Sequence, residues 1–131
     1  MYKGSCLCGE IAFTIGVQLG SLMACHCQRC KKENGTAYLI SSAVPRSSLN
    51  LVRGDKYLTR YVGPTGFQRF FCNCCGSPIF SQNPANPEVI RVRIGSLDTV
   101  VQDQISKHIY LNSAAPWETS AISADRFLEK S

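Results

Sequence analysis

The chain has 131 residues, 44% of them hydrophobic and 18% charged. That composition excludes a disordered or solvating polymer and suits one domain with an apolar core. The net charge of +5 suits small anionic partners or weak nucleic-acid contact, and is too small and scattered to argue strongly for nucleic acid. No stretch approaches the roughly 18 apolar residues of a membrane span. The first ten residues carry two cysteines where a secretory signal would have an apolar run. A reducing, cytoplasmic setting is therefore expected, in which clustered thiols serve metal binding or catalysis.

In chain order, residues 10–15 alternate polar and apolar side chains, as a half-buried strand does. Residues 22–27 read as a strand, and 29–34 as a short polar helical turn ended by Gly35. A strand over 37–44 stops at Pro45. Strands over 49–52 and 57–62 bracket the turn signal Arg53-Gly54-Asp55-Lys56. A strand over 67–72 follows the turn at 63–66, and a short one covers 79–82. Residues 89–94, Val-Ile-Arg-Val-Arg-Ile, predict a strand with one wet face, exposed at a sheet edge. Pairing between chains through such an edge would make a homo-oligomer, with the arginines acting against it. A single helical turn is expected at 97–100, a late strand at 107–111, and a loose terminal turn from Asp125. Many short strands with frequent turn residues predict a mainly β, single domain over 1–131.

The eight cysteines fall into three clusters: Cys6 and Cys8; Cys25, Cys27 and Cys30; Cys72, Cys74 and Cys75. Disulfides between such near neighbours would close tiny, strained loops. Metal binding suits the spacing, because one short segment then supplies several ligands to one ion. In an extended strand, residues i and i+2 share a face, so Cys6 with Cys8, and Cys25 with Cys27, can grip an ion. Tetrahedral thiolates select zinc. Ligand counting gives a closed structural site from Cys6, Cys8, Cys72 and Cys75. It leaves Cys25, Cys27 and Cys30 for a second, labile zinc with one open position, which is the catalytic pattern. Cys74 remains, expected as a buried small hydrophobe or inert thiol, with a spare ligand as the alternative.

Other candidates are weighed against ordinary structural roles. His26 lies between two ligands and is expected to face away from them, satisfied or at the surface. His108 is expected to pack, or to shuttle a proton near the open zinc. Arg91 and Arg93 share a strand face, either solvated or cradling carboxylates. Arg29, Lys31 and Lys32 flank the middle cluster, and Tyr110 and Trp117 are expected in core or rim packing.

Together, Gly4-Ser5-Cys6-Leu7-Cys8-Gly9, Cys25-His26-Cys27-Gln28-Arg29-Cys30, Phe71-Cys72-Asn73-Cys74-Cys75-Gly76, His108-Ile109-Tyr110 and Pro116-Trp117 resemble the glutathione-dependent formaldehyde-activating enzyme family. That family also includes centromere protein V. The resemblance spans nearly the whole chain. It implies a β-tent fold, two zinc ions on the partition above, and a carbon–sulfur lyase type reaction joining formaldehyde to glutathione as S-hydroxymethylglutathione. Cys74 is an addition to the family pattern. A non-catalytic zinc-stapled binding module, and a thiol-based redox or zinc-buffering protein, are the rival expectations. Two zinc ions and seven thiolates would add a net −3, lowering the formal +5 to about +2 and weakening the nucleic-acid reading further.

Overall fold

The alternation at the N-terminus decides the first sheet. The computed structural model describes residues 1–118, 125 and 127–129. Strand β1 (Tyr2–Ser5) pairs antiparallel with β2 (Ala12–Ile15). Phe13 and Ile15 of β2 are fully buried while Ala12 and Thr14 are half-buried, the period-2 pattern of a strand with one core face. Phe13 sits opposite Gly4, and its ring fills the space a side chain there would take. On its other side β2 pairs with β5 (Leu49–Arg53), completing a three-stranded sheet in the order β1-β2-β5.

The second sheet has seven strands. They are β3 (Leu22–Cys25), β4 (Leu39–Pro45), β6 (Leu58–Val62), β7 (Gln68–Cys72), β8 (Pro78–Gln82), β9 (Val89–Arg93) and β10 (Ile105–Ile109), in the order β10-β3-β4-β9-β8-β7-β6. Every pairing is antiparallel except β10 with β3, which is parallel. One α-helix, α1 (Gln28–Asn34), follows β3 and ends at Gly35 in the left-handed conformation. The chain is thus mainly β, with ten strands in two sheets among the described residues. No helix among them is long and apolar enough to cross a membrane.

Three expectations are corrected. Residues 89–94 do not form an edge: β9 lies between β4 and β8. Its arginines also part company, Arg91 being exposed and Arg93 only 4% exposed. Ile90 and Val92 face the core, as alternation requires, but the opposite face is covered at the Arg93 end because Glu33 of α1 meets it there. The helical turn expected at 97–100 forms earlier, as a 3-10 turn at Ile94–Ser96. Leu97 instead bridges Gly4, and the Asp98 and Thr99 amides both donate to the Lys3 carbonyl, so β1 ties this segment down as a bend. The turn expected from Asp125 falls largely outside the described residues.

Strands β5 and β6 flank one short turn yet belong to different sheets. The chain crosses between sheets at Gly54, whose φ is +91°. A Cβ there would lie 2.2 Å from the Glu10 carbonyl oxygen, so the backbones approach too closely for any side chain.

The core draws on both sheets: Phe13 and Ile15 from the small one, Phe80, Ile90 and Val92 from the large one. Cys6 and Cys72 are members of it. The first group of thiols expected to hold a metal is therefore built where the two sheets join.

Candidate metal centres

Cys6 and Cys8 do not lie on a strand, as the spacing had suggested. The strand ends at Ser5 and the chain turns, the Gly9 amide donating to the Cys6 carbonyl at 3.0 Å. The third cluster closes a turn one residue longer, with the Gly76 amide donating to the Cys72 carbonyl at 2.8 Å. Gly9 and Gly76 have φ of +82° and +81°, which glycine adopts without a Cβ penalty. Two turns, each ending in a glycine of positive φ, thus face each other. Ser77 ties them: its hydroxyl accepts from the Leu7 amide at 2.9 Å and lies 3.2 Å from Cys75 Sγ.

The Sγ atoms of Cys6, Cys8, Cys72 and Cys75 all lie within 4.8 Å of one another. Cys6 to Cys8 is 3.6 Å and Cys8 to Cys72 is 3.9 Å. A tetrahedral zinc with Zn–S of about 2.3 Å needs S···S edges of about 3.8 Å. The donor set and its spacing fit such an ion, and the separations are far beyond a disulfide bond. Charge in the group is uneven. The Ser77 hydroxyl and amide push the Cys75 thiol down to about 5, while burial pushes Cys72 up.

Cys25, Cys27 and Cys30 form the second group, again within 4.8 Å of one another. Cys25 is the last residue of β3, so the strand does not carry Cys27 as well. Cys27 is instead the N-cap of α1, its Sγ accepting from the Cys30 amide at 3.4 Å. A strand end, a cap and a first helical turn bring the three thiols together. Burial pushes the Cys30 thiol up to about 12. Burial also acts to raise Cys27, but the Cys30 amide and the neighbouring thiols outweigh it and hold Cys27 below its ordinary value. Among the described residues no fourth His, Cys, Asp or Glu joins this group. Cys74 belongs to neither group and is exposed, so the expected burial is not found.

The remaining candidates distribute as follows. His26 is 3% exposed and lies outside the ligand group. Its Nε2 is 2.9 Å from Nδ1 of His108, across the parallel β3–β10 pair, and its ring packs on Tyr38. Burial first, then the neighbouring His108, lowers the His26 pKa. Arg93 is engaged with Glu33, whereas Arg91 is exposed near Met23. Lys31 donates from Nζ to the Ser113 carbonyl. Tyr110 and Trp117 are each 64% exposed and do not lie in the core.

Two residues escaped the sequence reading. Glu33, one turn beyond Cys30, binds Arg93 of β9 and Arg69 of β7. Arg69 also brings Nη2 to 3.9 Å from Cys30 Sγ. The three-residue step from Cys30 to Glu33 was visible on a helix face. Its cationic partners, on strands distant in sequence, were not.

Two clefts lie near α1. The larger, about 840 Å³, is lined by Cys6, Ser77, Tyr38 and Asp98 among others. The smaller, about 330 Å³, is lined by Lys31, Lys32 and Trp117. Neither is lined by a cysteine of the second group.

A mainly β scaffold with two thiol groups, one of four and one of three, able to hold zinc defines a class of metal-binding protein. The chain belongs to the glutathione-dependent formaldehyde-activating enzyme family, whose model matches residues 1–113. Among solved structures it is similar to a crystal structure of a Rhodobacter sphaeroides protein, at 26% identity and a TM-score of 0.66. The match covers 81% of this chain and 98% of that one. No curated protein matches the chain.

Proposed function

We propose that the chain is one two-zinc domain acting as a carbon–sulfur lyase type enzyme on glutathione, or another thiol, and formaldehyde or a related small aldehyde. The observation that carries this reading is the unequal size of the two thiol groups, four against three. Four thiolates close a tetrahedral shell, whereas three leave a position for a ligand from solution. Zinc held by Cys25, Cys27 and Cys30 would lower the pKa of an incoming thiol and keep it as thiolate. In the reaction the thiolate sulfur attacks the carbonyl carbon and a C–S bond forms. The carbonyl π pair moves to oxygen, which takes up the proton the thiol released. His108 is the candidate carrier of that proton, because it is exposed on β10 and bonded to His26, the residue between Cys25 and Cys27 in the chain.

NMR exchange between formaldehyde, glutathione and their adduct tests the reading. The zinc-loaded protein is expected to speed adduct formation, and Cys27→Ser to abolish the effect while the first group keeps its zinc. No acceleration by protein with both groups loaded would reject it. A non-catalytic zinc-stapled binding module is the second reading. It is favoured by the larger cleft, which lies beside the first group and carries Asp98 and Glu118, and by the engagement of Arg69 and Arg93 with Glu33. Glutathione binding without turnover would support it.

A further inference from the structure

A three-thiolate zinc site carries a formal charge of −1, and a fourth thiolate would make it −2. Such a site needs positive charge close by, or it repels the ligand it must accept. The structure supplies that charge at one thiol. Arg69, with a side chain 14% exposed, points Nη2 at Cys30 Sγ from 3.9 Å. Its guanidinium is held in place from two other sides. Nη1 bonds Glu33 Oε2, and the guanidinium carbon lies 5.2 Å from the centre of the Phe67 ring. Glu33 is in turn held by Arg93, which also donates to Ser81 and to the Arg91 carbonyl.

The network of Arg69, Arg93 and Glu33 thus has a net charge of +1, equal and opposite to the loaded three-thiolate group. Arg69 is the member that touches a ligand. A planar guanidinium suits this post, since one edge can bond the carboxylate while another nitrogen faces the sulfur.

We infer that Arg69 is a positioning residue for the second zinc site: by donating to Cys30 Sγ it offsets the thiolate charge, stabilises zinc there and leaves the site able to take an anionic fourth ligand. The inference rests on the proposed function and goes beyond it by assigning a residue outside the cysteine clusters to the site.

The test uses zinc-loaded and cobalt-loaded whole protein. Arg69→Gln removes the charge while keeping a polar side chain. Its second zinc is expected to pass to a chelator about tenfold faster than in wild type, with the first zinc unaffected as an internal reference. In the cobalt form, the thiolate-to-metal charge-transfer band is expected to move to lower energy, because Cys30 sulfur has lost the group that stabilised its lone pairs. Arg69→Lys keeps the charge without the fork and is expected to restore retention part-way.

An unchanged second-site exchange rate and an unmoved band in Arg69→Gln would overturn the inference. Should Arg69→Gln fail to fold, Arg69→Lys decides alone. Its ammonium cannot serve Glu33 and Cys30 in the same geometry, so an unmoved cobalt band would again overturn it. If wild type itself takes only one zinc, the proposed function fails first. If wild type takes two and Arg69→Gln matches it, only the present inference fails.

Discussion

Arg93 of β9 places its Nη2 2.9 and 3.0 Å from the two carboxylate oxygens of Glu33 on α1. The two side chains are 5% and 15% exposed. This contact joins the helix that Cys27 caps and that carries Cys30 to the centre of the large sheet. Removing one partner of a buried ion pair leaves the other charge uncompensated, at about 3–5 kcal/mol. Glu33→Ala is therefore expected to lower unfolding stability by about that amount, read by denaturant unfolding of the zinc-loaded protein. A loss below about 1 kcal/mol, the surface ion-pair range, would show that the pair is solvated.

The two zinc sites are expected to empty in order. The group of three would hold its metal with fewer ligands and an open position, so a mild chelator should take that zinc first and leave the fold intact. The group of four includes Cys6 and Cys72, which belong to the core joining the sheets. Loss of its zinc should bring unfolding. Metal analysis alongside circular dichroism checks this, and unfolding with the first ion released would reverse the assignment.

Acid should act differently on the two groups. Cys75 falls from the ordinary thiol value near 9 to about 5 because Ser77 bonds it. A thiol lowered on folding contributes stability in full above about pH 9. That contribution is lost progressively as pH falls towards 5, because the unfolded chain binds the proton more readily. Burial pushes Cys30 up to about 12, but Cys8 of the first group is raised as well, so the order rests on ligand number. With three thiols against four, the second group is expected to give up its metal at higher pH than the first. Ser77→Ala should narrow that gap and weaken the first site about tenfold. Zinc retained per protein against pH is the measurement, and an unchanged curve for Ser77→Ala would remove Ser77 from the account.

Gly54 should tolerate no side chain. Its positive φ, and a Cβ that would meet the Glu10 and Ile11 backbone, leave no flexible group to move aside. Gly54→Ala is expected to cost about 2–3 kcal/mol or to prevent folding. Gly95→Ala meets nothing within 4 Å and is expected to change stability by less than about 0.5 kcal/mol. Thermal unfolding of the two variants compares them directly, and equal midpoints would contradict the crossover argument.

What was legible in the sequence was local. The spacing of the cysteines and the C-cap at Gly35 both act within a few residues, where the covalent chain limits the options. Ligand counting then partitioned seven thiols into the two groups that the structure brings together. Tertiary structure alone decided where the strands went and which charges met. Strand β9 became central because β4 and β8 both found it. Arg93 was thereby buried, and Glu33 became its partner from 60 residues away. Arg69 likewise reached Cys30 only through the register of β7 against its neighbours. A thiol's ability to bind metal can be read from its near neighbours. The charge that tunes the thiol comes from whichever distant strand packs beside it, and that follows from burial of the whole core.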